Sequence, residues 1–118
     1  MRKIVLSAGA AAAGLALVGA ALGATALKLS ADPKNRLAYD KKLLVAKAGK
    51  VTITMTNPSI LPHDVAVKKG KTRLAKGKTV LKGGVSTVSI ALAKGTYTFY
   101  CTVPGHEAAG MKGTLIVK

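Results

Sequence analysis

Apolar and polar residues alternate along much of the second half of the chain. Residues 51–56 read Val-Thr-Ile-Thr-Met-Thr, so the apolar side chains share one face and the threonines share the other. The same period of two recurs in residues 87–92, 96–103 and 112–118. Alternation of this kind is typical of β-strands that place one face against a core.

Other segments predict strands less strongly. Residues 37–40 and 43–47 are weaker candidates, and residues 79–81 form a short candidate within the Lys- and Gly-rich stretch 68–84. Beyond the N-terminal segment, no stretch has a convincing helical period. Many short strands separated by Gly and Pro predict an all-β domain, either a β-sandwich or a barrel.

The N-terminal segment has the pattern of an export signal. A basic start, Met1-Arg2-Lys3, is followed by residues 4–26, which carry no charge, and Ala24-Thr25-Ala26 is a small-x-small cleavage site. We therefore predict a signal peptide over residues 1–26, a tether over 27–36 and one domain over 37–118. The alternative is an uncleaved membrane anchor, since about 20 apolar residues span a bilayer. In both cases the domain lies outside the cytoplasm, in the periplasm, outside the cell or at its surface.

The amino-acid composition limits the functional classes to which the chain can belong. The chain has 118 residues, 19 Lys and Arg against four Asp and Glu, a net charge of +15, one Cys and two His. One Cys excludes an internal disulfide, and so few acids and histidines argue against an enzyme with paired carboxylates or a His-based site. The charge predicts an acidic partner or surface without distinguishing the two. Export and scarce aromatic residues argue against nucleic acid.

The scarce metal-binding residues are concentrated in two places. Cys101, His106 and Met111 follow one another at intervals of five residues, in a loop that also contains Pro104. His63, the other histidine, has the inward parity of the following strand. Each residue alone has an ordinary alternative role in a core. Together, two His and one Cys with a weak axial Met are the ligand set of a blue-copper electron-transfer site.

The segment 37–118 resembles the cupredoxin (blue, type 1 copper) family, in its plastocyanin-, auracyanin- and rusticyanin-like branch. The motif Cys-x4-His-x4-Met and the flanking Gly-Met-x-Gly-Thr-Leu carry the resemblance. It implies a Greek-key β-sandwich and one-electron transfer at a single copper ion. It also implies that His63, Cys101 and His106 are the strong ligands, that Met111 is the axial ligand, and that apolar residues around His106 form a docking face.

One position departs from the family pattern. Asp64 stands where many cupredoxins have an Asn that braces the Cys loop. We expect its carboxylate to accept a hydrogen bond from Thr102. A negative charge there favours Cu(II) and lowers the reduction potential unless another group neutralises it.

These observations predict an exported, monomeric electron carrier that is not an enzyme and that docks with redox partners through an acidic surface on the partner. Membrane contact is expected only if residues 1–26 remain attached. The alternative function is copper storage, delivery or resistance, which would use the same residues with a readily exchanged ion.

Overall fold

The computed structural model describes residues 23–118, which form eight β-strands in two sheets. The strands are β1 (Ala24–Ser30), β2 (Leu43–Ala46), β3 (Gly49–Thr56), β4 (Ala66–Lys69), β5 (Thr72–Lys76), β6 (Val85–Leu92), β7 (Gly95–Tyr100) and β8 (Lys112–Val117). One sheet has the order β1-β3-β6, and the other has the order β2-β8-β7-β4-β5. Among residues 23–118 there is no helix long and apolar enough to cross a membrane.

The alternating pattern places the core between the two sheets. In β3, the side chains of Val51, Ile53 and Met55 are at most 1% exposed, while the threonines between them lie on the outer side. Phe99 of β7 and Leu115 of β8 are fully buried from the other sheet. The predicted β-sandwich is therefore confirmed, and the strongly alternating segments are its strands.

Of the weaker strand predictions, one corresponds to a strand and two do not. The segment 43–47 contains β2, which pairs in parallel with β8. Segments 37–40 and 79–81 form only isolated bridges, Ala31 with Tyr39 and His63 with Val80. Strand β5 was not predicted because its side chains are mostly exposed and show no alternation. Its strand structure comes from pairing with β4.

The N-terminal boundaries also differ from the prediction. The predicted signal peptide 1–26 lies outside the described residues except for residues 23–26. The predicted tether 27–36 overlaps β1, which pairs in parallel with β3 from Ala24 to Ser30. Leu29 of β1 is only 2% exposed. Pairing with β3 and burial of this leucine make the segment a strand of the sandwich.

Candidate metal centre

Three side chains from distant parts of the sequence meet at one end of the sandwich. The Nδ1 atoms of His63 and His106 are 3.2 Å apart, and the Cys101 Sγ lies 4.0 Å from the first and 3.6 Å from the second. One ligand atom from each residue lies within 4.8 Å of the others. His63 and Cys101 are buried, whereas His106 is partly exposed. Two nitrogens and one sulfur that converge in this way suit a single metal ion.

Backbone pairing fixes the position of His63. Its N–H donates to the Val80 carbonyl at 3.1 Å, and its own carbonyl accepts from the Val80 N–H at 2.8 Å. The buried Asn57 amide ties together the two loops that meet here, because its Nδ2 donates to the carbonyls of Leu61 and Val80 at 2.8 and 2.9 Å. His63 is thus held by a loop with little freedom to move.

The other candidate ligands lie in the segment that joins β7 to β8. Cys101 directly follows β7 and Met111 directly precedes β8. The Cys101 N–H donates to the Met111 carbonyl at 3.1 Å, and the Met111 N–H donates to the His106 carbonyl at 3.0 Å. Met111 is fully buried. Backbone hydrogen bonds therefore link all three residues of the predicted Cys-x4-His-x4-Met motif.

Two glycines let this segment turn back on itself. Gly105 and Gly110 have φ angles of 84° and 115°, which residues with a side chain rarely adopt. The first immediately precedes His106, and the second immediately precedes Met111. The sequence pattern of glycines next to the candidate ligands thus corresponds to a local backbone requirement.

Asp64 braces the Cys loop as expected. Its Oδ1 accepts from the Thr102 N–H at 2.7 Å, and its Oδ2 accepts from the Thr102 hydroxyl at 2.6 Å. The same Oδ2 accepts from the Thr79 hydroxyl at 2.8 Å and lies 3.5 Å from the Lys76 Nζ. Asp64 is fully buried, so these contacts are what make its charge tolerable there.

The balance of these contacts lowers the pKa of Asp64. Burial alone would raise the pKa, but the two hydrogen bonds from Thr102, the bond from Thr79 and the charge of Lys76 outweigh it. The carboxylate is therefore ionised at neutral pH. Sequence reasoning found the contact with Thr102 but missed Lys76, at the end of β5, and Thr79, in the segment that follows it.

Burial also sets the protonation of the candidate ligands. It lowers the pKa of His63, with a further contribution from His106, so the imidazole is neutral and has a free ring nitrogen. Burial raises the pKa of the Cys101 thiol in the metal-free protein. Metal ions bind neutral imidazole and thiolate, so loading this site displaces a thiol proton. The donor set, soft sulfur with two imidazoles, fits copper.

Comparison with known proteins decides the family. The model for copper-binding proteins of the plastocyanin/azurin family matches residues 25–118. The chain belongs to the plastocyanin/azurin family of copper-binding proteins. The resemblance to cupredoxins noted from the sequence is therefore confirmed, and copper is the cofactor of this cupredoxin, at a single type 1 site.

Solved structures support the same assignment. Dithionite-reduced auracyanin from Roseiflexus castenholzii is 29% identical over 79% of this chain and 96% of its own, with a TM-score of 0.71. The "blue" copper protein auracyanin A from Chloroflexus aurantiacus is 25% identical over 81% and 100%, with a TM-score of 0.72. An azurin from Methylomonas sp. strain J shares the fold at 17% identity, over 80% and 98%, with a TM-score of 0.67. A search of curated proteins finds no match.

Proposed function

We propose that this cupredoxin is an exported one-electron carrier in which His63, Cys101 and His106 are the strong copper ligands and Met111 is the axial ligand. The convergence of the three donor atoms within 4.8 Å carries the proposal. When bound, copper supplies the cycling between Cu(I) and Cu(II). Sulfur favours the first state and imidazole also suits the second, so this donor set serves both.

The protein around the site is arranged to resist rearrangement. Three of the proposed ligands lie in one loop whose ends are hydrogen-bonded to each other, and the fourth is fixed by its bridge to Val80. Asp64 holds the residue after Cys101 through two hydrogen bonds. A ligand cage that keeps its geometry in both oxidation states lowers the structural cost of each electron transfer.

His106 offers a short path for an electron from the copper site to the protein surface. This ligand is partly exposed, whereas His63 and Cys101 are buried. Apolar side chains with solvent exposure occur in the neighbouring loops, among them Ile60, which is 66% exposed, together with Pro104 and Ala108. An apolar surface next to an exposed ligand suits a partner that docks briefly and departs.

The N-terminal pattern and the net charge support the remaining parts of the proposal. Residues 4–26 have the composition of an export segment, which supports a location in the periplasm, outside the cell or at its surface. The net charge of +15 suits a redox partner with an acidic docking surface, because opposite charges accelerate association. We propose that the protein acts as a monomer and carries electrons without catalysing a reaction of its own.

The visible spectrum of the copper-loaded protein tests the function. We expect an intense blue Cu(II) solution that bleaches on reduction, and a reversible one-electron wave in voltammetry. Cys101→Ser should lose the blue colour, because the Cu–thiolate bond responsible for it is removed. A colourless wild-type complex that gives up its copper to a mild chelator would instead support storage or delivery.

A matched pair of methionine variants tests the axial position. Met55 and Met111 are both fully buried, but Met55 lies mid-strand in β3. Met111→Leu should shift the reduction potential upward, because removing one donor from the site destabilises the more highly charged Cu(II) more than it destabilises Cu(I). Met55→Leu should leave the potential unchanged. Equal potentials in the two variants would contradict the axial role of Met111.

A further inference from the structure

The end of the sandwich opposite the metal centre collects four elements. Ala24, at the start of β1, pairs with Lys50 near the start of β3. The turn between β2 and β3 contacts the start of β1 and the end of β8. The Lys47 N–H donates to the Thr25 hydroxyl at 3.1 Å, and the Ala48 N–H donates to a main-chain oxygen of Lys118 at 2.8 Å. The turn between β6 and β7 lies at the same end, because Gly49 pairs with Leu92.

We call this end the distal pole. The metal centre lies beyond the other ends of β3 and β7, after Thr56 and Tyr100. Strand β3 has eight residues, and a strand rises about 3.3 Å per residue, so the two ends are separated by roughly 23 Å.

The distal pole carries several cationic side chains. Lys47, Lys50 and Lys94 lie in its turns and strand starts, and all three side chains are exposed. Within residues 23–118, none of these ammonium groups has a carboxylate within ion-pair distance.

All four acidic residues of the chain belong to the half that contains the metal centre. Asp64 and Glu107 are next to His63 and His106 in the sequence. Asp32 and Asp40 flank the bridge between Ala31 and Tyr39, where the Ala31 N–H donates to the Thr56 carbonyl at the end of β3. No acidic side chain therefore offsets the lysines of the distal pole.

The uncharged N-terminal segment joins the domain at this same pole. Residues 4–22 contain no charged side chain and lead directly into β1. A segment of this length falls within the range of about 17–25 apolar residues that span a bilayer. Cleavage after Ala26 would remove residues 24–26 from the seven-residue β1, together with the Thr25 hydroxyl that accepts from Lys47. Retention of the segment keeps β1 whole.

We propose that the distal pole rests on an anionic lipid surface, with residues 4–22 retained as a membrane anchor, so that the copper centre faces away from the membrane. Negative lipid headgroups attract basic residues beside a membrane segment. The anchor confines the domain to the surface, and Lys47, Lys50 and Lys94 set which end touches it. This orientation leaves the partly exposed His106 accessible to soluble redox partners. The inference concerns the opposite end of the molecule and stands independently of the proposed electron transfer.

Binding of the full-length protein to lipid vesicles tests the proposal. The protein is diluted from detergent into vesicles of phosphatidylcholine, with or without phosphatidylglycerol, and bound protein is separated by flotation. We expect binding to both vesicle types, because the anchor needs only hydrocarbon. Binding should be stronger to the anionic vesicles, and the preference should fade at high salt. Absence of binding to neutral vesicles would overturn retention of residues 4–22 as an anchor.

Two triple variants with the same charge change locate the contact. Lys47, Lys50 and Lys94 are changed to Gln in one, and Lys34, Lys78 and Lys82 in the other. The second set is also exposed but lies in loops at the metal end. The distal triple should reduce the preference for anionic vesicles by at least about tenfold, since each basic residue at the surface contributes substantially. The metal-end triple should reduce it by less than about threefold.

If the two triple variants lose the preference for anionic vesicles to the same extent, overall charge alone attracts the lipid. That result would overturn the contact at the distal pole. Both variants should keep the visible spectrum of the copper-loaded wild type, which separates failure of this proposal from failure of the copper assignment. Ascorbate added outside the vesicles should reduce the bound wild-type protein about as fast as the protein in detergent. Strongly slowed reduction would contradict the outward-facing centre.

Discussion

At the scale of single residues, the feature that most distinguishes this site is the buried charge of Asp64. Its carboxylate accepts hydrogen bonds from Thr102 and Thr79 and is approached by the Lys76 ammonium at 3.5 Å. The sequence predicted that an acid here would favour Cu(II) unless it was neutralised. Lys76 provides partial neutralisation, because its side chain remains one-third exposed and solvent screens its charge.

Substitution of Asp64 and substitution of Lys76 should shift the reduction potential in opposite directions. Asp64→Asn should raise the potential, since a negative charge that stabilises Cu(II) is lost. Lys76→Gln should lower it, since the same charge is then uncompensated. Lys78→Gln, two residues away and exposed, is the control and should leave the potential unchanged. If Asp64→Asn has the wild-type potential at every pH, Asp64 has only the bracing role.

At the scale of elements, the sequence was informative wherever one face of a strand is buried. The segments that became β3, β6, β7 and β8 were predicted because burial imposes alternation on them. Strand β5 carries mostly exposed side chains, so it leaves no such pattern. Strand β1 was missed because its first residues were assigned to the export signal and the rest, which lead into a polar stretch with Lys, Asp, Pro and Asn, were assigned to a tether. Only pairing with β3, which is remote in sequence, identifies it.

Some residues of the metal centre could be predicted from the sequence and others could not. Cys101, His106 and Met111 were predicted because their residue types are rare in this chain and their spacing is specific. Asn57, Thr79 and Lys76 are common residue types, and each acquires its role through a contact made by the folded chain. Nothing in a single sequence marks such contacts in advance.

Strand β1 is expected to contribute to stability. Leu29→Ala should lower the free energy of unfolding by about 3 kcal/mol, because a side chain that is 2% exposed is removed from the core. Chemical denaturation of the metal-free protein measures this. Lys28→Ala, on the exposed face of the same strand, should change it by less than about 0.5 kcal/mol. If Leu29→Ala is as stable as the wild type, residues 27–36 behave as the predicted tether.

At the scale of the whole molecule, the metal centre joins parts of both sheets. His63 belongs to the loop that leads from β3 in one sheet to β4 in the other, whereas Cys101 and Met111 flank β7 and β8. An ion held by these residues cross-links the segments at one end of the sandwich. The sandwich has no disulfide, so the metal is its one available cross-link among the described residues.

Copper removal is therefore expected to lower the thermal unfolding midpoint. A tightly held ion binds the folded state only, so calorimetry of loaded and chelated protein should show a difference of at least about 10 °C. In Cys101→Ser, copper should raise the midpoint far less, because the thiolate is missing. An equal increase in wild type and variant would mean that copper stabilises the protein from another site.

The bond between the Cys101 N–H and the Met111 carbonyl has one more consequence, for how this protein can change over evolutionary time. It closes the loop at its base, where β7 and β8 already form a ladder. Insertions or deletions between the two residues need not disturb the sheet, because the closure is made before the loop begins. The length and composition of the loop can therefore change, and with them the properties of the copper site, while the sheets and the remaining proposed ligand, His63, stay as they are.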